Sequence, residues 1–122
     1  MLLPRSILPS EVFLRDWIFY QFAVVGIFEE LFFRGYLQTQ AGKISLHMGC
    51  REKGTSWLPI VASAFFFGIA HAAVELNPAR FVVFFPGLLF AWLRARAGSL
   101  LAPVLSHGSA NVFCMLLLNA VS

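Results

Sequence analysis

The order of hydrophobic and polar residues divides the chain into four long apolar stretches joined by short polar connections. They run from about Trp17 to Gln40, from Trp57 to about Ala73, from Pro78 to Leu93 and from about Leu100 to Val121. At about 1.5 Å per residue, helices of these lengths are of the order needed to cross a hydrocarbon layer of about 30 Å. The pattern therefore predicts an all-α protein, a polytopic membrane bundle of about four transmembrane helices.

The connections between these stretches predict the domain organisation. Residues 1–16 are broken by prolines and charges, which indicates an interfacial N-terminal segment, and residues 17–122 form the predicted bundle core. A polar loop is expected over residues 41–56. Asn77 is placed to cap the third helix, and Pro86 is expected to kink it.

Composition supports a membrane environment and excludes several other classes of protein. Of the 122 residues, 59% are hydrophobic and only 12% are charged, about half the share that is usual in soluble domains. The nine Lys and Arg residues are scattered, whereas a nucleic-acid-binding surface needs a cluster of them. Membrane lipids, and not nucleic acid, are therefore the expected surroundings.

Three charged residues lie inside the first apolar stretch, at Glu29, Glu30 and Arg34. Each charge at the centre of a membrane helix costs about 2.5–3.5 kcal/mol unless it is paired. Glu30 and Arg34 are four residues apart, with the carboxylate first, which favours an ion pair on one helix face. Glu29 projects about 100° away from that pair. We therefore predict a structural role for Glu30 and Arg34 and a general-base role for Glu29.

Other polar residues are predicted to lie at a similar depth in the membrane. Counting about 1.5 Å per residue from the side of the first loop puts Glu29 roughly 17 Å deep and His71 roughly 21 Å deep. His107 and Asn111 lie one turn apart on one face of the fourth helix, at roughly 12 and 18 Å. Three helices are thus expected to bring these four side chains towards one layer.

The same residues carry a resemblance to a known family. EELFFR (29–34), FGIAH (67–71) and HGSAN (107–111) resemble, in order, the EExxxR, FxxxH and HxxxN motifs of the CPBP intramembrane proteases. This family includes type II CAAX prenyl endopeptidases and Abi-like proteins of bacteriocin processing and self-immunity. Typical members carry further helices before the EExxxR span, which is the first span here.

The resemblance implies a glutamic-type endopeptidase without a cofactor. In it, the residue matching Glu29 activates a water molecule together with that matching His71, and those matching His107 and Asn111 form the oxyanion hole. Supporting positions match Glu30, Arg34 and Phe67. The implied substrate is a membrane-associated peptide or lipidated protein, cut near a prenylated, leader or C-terminal sorting tail. The implied location is a bacterial or archaeal inner membrane.

Three other functions remain open from the residues themselves. Glu29, His71 and His107 offer a carboxylate and two imidazoles, which is a possible zinc-ligand set although HExxH is absent. A non-enzymatic membrane interaction or bacteriocin-immunity protein would use the same groups for folding or for peptide binding. A proton or ion pathway would use the intramembrane carboxylates, but it would give Asn111 no special task.

Overall fold

The structure, a computed structural model, describes residues 11–49 and 57–121, and it is all-α over these ranges. Helix α1 covers residues 11–47, α2 Trp57–Val74, α3 Phe84–Ala97 and α4 Leu101–Val121. Three helical stretches are long and apolar enough to cross a membrane, at Trp57–Val74, Pro78–Ala97 and Leu101–Val121. Together with the N-terminal helix they confirm the predicted helical bundle.

Helix α1 is longer than the apolar pattern predicted. It was expected to run from about Trp17 to Gln40, with a loop over residues 41–56, but it begins at Glu11 and continues to His47. The loss of hydrophobicity after Gln40 marks the end of the apolar stretch rather than the end of the helix, because residues such as Ala and Lys form helices well in water. The helix ends at His47 and is followed by a turn at Met48 and Gly49, in which Gly49 has a φ of 83°. Residues 1–10 and 50–56, part of the expected N-terminal segment and loop, lie outside the described residues.

Two π-helical segments interrupt α1, at Gln21–Gly26 and Leu31–Leu37. Between them lies a single α-helical turn, Ile27–Glu30. A π-helix forms i→i+5 hydrogen bonds and so turns less per residue than an α-helix, which shifts the direction of every side chain that follows it. Hydrophobic periodicity alone did not predict these segments.

The connection between α2 and α3 confirms one sequence prediction and places Pro86 beside a change of helix type. The side chain of Asn77 accepts a hydrogen bond from the backbone N–H of Ala79 (3.1 Å) and caps a 3₁₀ helix at Pro78–Val83. Pro86, which was expected to kink the third helix, lies in the first turn of α3, two residues after the change from 3₁₀ to α-helix. There a proline removes no helical hydrogen bond. The irregular geometry lies in the 3₁₀ helix that precedes α3.

The interior of the bundle combines aromatic rings with charged and polar side chains. Phe33, Phe67 and Phe90 form the buried apolar cluster, while Glu30 and Arg34 are completely buried. Much of the outer surface is apolar, including the exposed rings of Phe19, Phe28, Phe85 and Phe113. Charges inside and hydrocarbon outside are the arrangement expected of a protein surrounded by lipid.

Helices α1 and α4 approach closely where glycine removes a side chain. A Cβ added to Gly108 would lie 2.4 Å from the ring of Phe22, and one added to Gly26 would lie 3.3 Å from the carbonyl oxygen of Val104. These contacts hold the first π-helical segment of α1 against α4. They also bring His107, the neighbour of Gly108, to the carboxylates of α1.

Candidate active site

The two adjacent acids of α1 lie in the short α-helical turn between the π-helical segments. Glu30 is completely buried, whereas the side chain of Glu29 keeps about one third of its exposure (32%). Segments of π-helix within α-helices often occur at functional sites, because they redirect side chains. The backbone of α1 therefore presents one acid to the protein interior and the other to an accessible position.

Glu30 receives hydrogen bonds from two helices through one oxygen. Its Oε1 accepts from Nη1 of Arg34 at 3.2 Å and from Nδ1 of His107 at 2.7 Å. The predicted ion pair between Glu30 and Arg34 is confirmed. The bond to His107 was not predicted from the sequence, because it depends on how α4 packs on α1. Glu30 therefore pairs with Arg34 and also orients the His107 ring.

Arg34 connects α1 to two further helices. Its Nη2 donates to the carbonyl oxygen of Gly87 in α3 at 2.8 Å. Its guanidinium carbon lies 4.5 Å from the ring centre of Phe67 in α2, within the range of a cation–π contact. Gly87 lacks the side chain that would crowd this arrangement, since an added Cβ would lie 3.2 Å from Nη2. Arg34 is therefore a buried structural centre, as predicted, and Gly87 is a supporting position that the sequence analysis missed.

The carboxylate of Glu29 lies between two imidazole rings from two other helices. Its Oε2 is 3.4 Å from Nε2 of His107 and 3.7 Å from Nε2 of His71. This oxygen is buried and forms no hydrogen bond with any residue that the structure describes. Glu29, His71, His107 and Asn111 were predicted to lie towards one layer, and these distances bring the first three together.

Both histidines direct the same ring nitrogen towards Glu29. Nδ1 of His71 lies 2.9 Å from the carbonyl oxygen of Phe67, which can only accept, so Nδ1 carries a proton. Nδ1 of His107 likewise donates to the carboxylate of Glu30. In a neutral imidazole with a protonated Nδ1, Nε2 holds a lone pair. The structure therefore fixes both ring orientations through Nδ1 and leaves both Nε2 atoms at the carboxylate.

Phe67 packs at the centre of the site. Its ring makes an edge contact with His107, with centroids 5.5 Å apart, and lies under the guanidinium of Arg34. Its carbonyl oxygen accepts the bond from His71 one turn later. Phe67 is 2% exposed, so its observed contacts are packing contacts, in keeping with its predicted supporting position.

Asn111 hydrogen-bonds to a second polar residue of α1, Gln21, and not to Glu29. Its Nδ2 donates to Oε1 of Gln21 at 2.9 Å, which links α4 to the start of the first π-helical segment. Asn111 lies one helical turn after His107, so it belongs to the same face of α4. The sequence analysis did not identify Gln21, although a glutamine inside an otherwise apolar stretch was a visible signal.

The zinc alternative needs Glu29, His71 and His107 to be arranged as metal ligands. Among the residues that the structure describes, no group of three or more His, Cys, Asp or Glu side chains has an arrangement that would hold a metal ion. Zinc-bound histidines also hydrogen-bond through their second ring nitrogen, as His71 and His107 do through Nδ1. Direct metal analysis therefore has to decide between the two chemistries.

Comparison with known proteins assigns the chain to a family. The family model described as type II CAAX prenyl endopeptidase Rce1-like matches residues 11–113, a range that includes all seven predicted site residues. No curated protein and no solved structure gave a significant match. The three apolar helices agree with a multi-pass membrane protein. The chain belongs to the Rce1-like type II CAAX prenyl endopeptidase family and is, in general terms, an intramembrane protease.

Proposed function

We propose that this protease is of the glutamic type, with Glu29 as the general base. The observation that carries the proposal is the position of the Glu29 Oε2 atom, which is buried, has no hydrogen-bond partner among the described residues and lies within 3.7 Å of Nε2 on both histidines. A carboxylate held in this way can accept a proton from a water molecule. The lone pair on Nε2 of His71 can accept a hydrogen bond from the same water.

Peptide hydrolysis at this site proceeds by addition of water and loss of an amine. Glu29 takes one proton from the water, and the remaining hydroxide adds to the carbonyl carbon of the scissile bond. The tetrahedral oxyanion then collapses, the carbon–nitrogen bond breaks, and the proton held by Glu29 passes to the leaving nitrogen. The overall reaction consumes one water and leaves Glu29 ionised for the next turnover.

His107 and Asn111 are assigned to the oxyanion in this mechanism. Since Nδ1 of His107 already donates to Glu30, its Nε2 carries a proton only when the ring is doubly protonated. The oxyanion role of His107 therefore requires a ring that carries both protons. Donors aimed at a developing oxyanion lower the barrier strongly in sites sheltered from water.

The proposed substrate is a membrane-associated peptide or protein with a prenylated, leader or C-terminal sorting tail. A catalytic side chain that is about one third exposed, in a bundle with an apolar outer surface, suits a substrate that is itself held at the membrane. The proposed location is a bacterial or archaeal inner membrane. Membrane lipids are the other expected contact of the apolar outer surface.

The test uses the full chain in lipid vesicles with a reporter peptide, offered with and without a prenylated tail. We expect the wild-type protein to cleave the tailed peptide, and expect cleavage to persist after dialysis against a chelator. Failure to cleave any leader, sorting or prenylated tail would contradict the protease assignment and favour a membrane-interaction or immunity protein. Stoichiometric zinc, with activity lost to the chelator and restored by zinc, would replace the glutamic mechanism by a metal-dependent one.

A further inference from the structure

Gln21 lies in the first π-helical segment of α1, eight residues before Glu29. In a regular α-helix, eight residues would turn these two side chains about 80° apart. A π-helix needs about 4.4 residues per turn, so six π-helical residues reduce the offset to roughly 30°. The backbone irregularity thus brings Gln21 onto nearly the same face of α1 as Glu29.

The partner of Gln21 is Asn111, whose Nδ2 donates to Oε1 of Gln21 at 2.9 Å. A carboxamide has an NH₂ side and an oxygen side of similar shape, and only its hydrogen bonds fix which is which. With Gln21 oriented as observed, a flip of Asn111 alone would set two amide oxygens against each other, so the bond holds the NH₂ group of Asn111 and occupies one of its two hydrogens. The second N–H of that group remains for another acceptor.

We propose that Gln21 is a positioning residue of the active site, acting through Asn111. This inference rests on the proposed function, in which Asn111 donates to the oxyanion. Gln21 holds the amide of Asn111 with its nitrogen available and prevents the flip that would offer an oxygen to a negatively charged intermediate. Such a role differs from simple helix–helix adhesion, because it acts on the transition state rather than on the packing of α1 against α4.

The test compares two substitutions at Gln21 with a matched control. Gln21→Met keeps the length of the side chain but removes the acceptor, whereas Gln21→Glu keeps an oxygen acceptor in both of its protonation states. The control is Gln38→Met, since Gln38 lies in the same helix and makes its own interhelical hydrogen bond, to the carbonyl oxygen of Ala91 at 3.0 Å. Values of kcat and KM are measured per folded protein, with thermal unfolding recorded for each variant.

For Gln21→Met we expect kcat to fall about tenfold with KM within about twofold, a part of the loss that removal of an oxyanion donor causes. Gln21→Glu should recover most of kcat, and Gln38→Met should leave kcat near the wild-type value. The double variant Gln21→Met/Asn111→Ala should be no slower than Asn111→Ala alone, because Gln21 acts through Asn111.

Several results would overturn the role of Gln21. They are an unchanged kcat in Gln21→Met, an equal loss in Gln21→Glu and Gln21→Met, and additive losses in the double variant. A rise in KM alone would make Gln21 a substrate contact instead. If the wild-type protein does not cleave the peptide, the proposed function is wrong and the role of Gln21 is wrong with it. If the wild-type protein cleaves and Gln21→Met has the wild-type kcat, only the role of Gln21 is wrong.

Discussion

Nδ1 of His107 lies 2.7 Å from Oε1 of Glu30, the oxygen that also accepts from Arg34. One buried carboxylate therefore connects the structural ion pair of α1 with a histidine of the candidate active site. The second acid of the EE pair is consequently more than a partner for Arg34. It fixes the ring whose other nitrogen faces Glu29.

Replacing Glu30 should damage both stability and activity. Glu30→Gln leaves the buried charge of Arg34 without its counter-ion, and breaking a buried pair in this way costs about 3–5 kcal/mol. We expect a strongly lowered unfolding temperature, measured by fluorescence-detected unfolding in detergent. Activity should fall as well, because an amide orients His107 less firmly than a carboxylate does.

The double variant Glu30→Gln/Arg34→Met separates these two effects. Removing both charges relieves the uncompensated cation, so the unfolding temperature should partly recover. Activity should not recover, since His107 still lacks a carboxylate at Nδ1. Full recovery of cleavage would show that Glu30 serves only the ion pair.

Gly87 should tolerate no side chain. A Cβ at this position would lie 3.0 Å from the ring of Phe67 and 3.2 Å from Nη2 of Arg34, and such overpacking costs about 1–3 kcal/mol. Gly87→Ala should therefore lower the unfolding temperature and the rate of cleavage. Gly42→Ala is the matched control, because its Cβ would meet only the Pro59 side chain at 3.8 Å. Equal behaviour of the two variants would show that the Arg34 contacts tolerate the added methyl group.

Gly108 should be equally restrictive, and its defect should be repairable. The added Cβ of Gly108→Ala would overlap the Phe22 ring, so the ring or α4 has to shift, and a shift of α4 would carry His107 away from Glu29. We expect loss of cleavage and lowered stability. Gly108→Ala/Phe22→Ala should regain part of the cleavage rate, because the second substitution makes room for the methyl group. If the double variant cleaves no faster than Gly108→Ala, overlap with the Phe22 ring is not the cause of the lost activity.

His71 should matter more for the chemical step than for folding. It is only partly buried, with 21% of its side chain exposed, and its bond to the carbonyl oxygen of Phe67 stays within one helix. For His71→Ala we expect kcat to fall by about 10²-fold, the lower end of the range for general acid–base groups, because the attacking water loses its hydrogen bond to Nε2 of His71 but keeps Glu29 as its proton acceptor. The unfolding temperature should change less than in Glu30→Gln. His47→Ala, at the exposed end of α1, is the control and should keep its activity.

Much of this architecture follows from local sequence features. The apolar stretches gave the bounds of α2 and α4 to within about one residue. The i,i+4 spacing of Glu30 and Arg34 predicted their ion pair. Depth counting predicted that Glu29, His71 and His107 lie towards one layer, and their short distances agree with this. These features depend on helix length and rise, which are nearly independent of the rest of the molecule.

The remaining features depend on contacts between helices. The π-helical segments change the direction of side chains through backbone hydrogen bonds that no residue pattern marks. The partners of Gly87 and Gln21 lie 53 and 90 positions away along the chain, so only the packed bundle identifies them. The extension of α1 to His47 was missed because hydrophobicity reports the membrane boundary, whereas a helix can continue beyond it.

The rate of peptide cleavage by Glu29→Gln tests the central claim most directly. This substitution keeps the size of the side chain and removes the proton acceptor, and Glu75→Gln, in the exposed turn after α2, is the matched control. With both variants shown to be folded, we predict that Glu75→Gln keeps the wild-type rate and that Glu29→Gln loses at least about 10²-fold in kcat. Cleavage by Glu29→Gln at the rate of the control would contradict the proposed mechanism, because a group other than Glu29 would then have to act as the base.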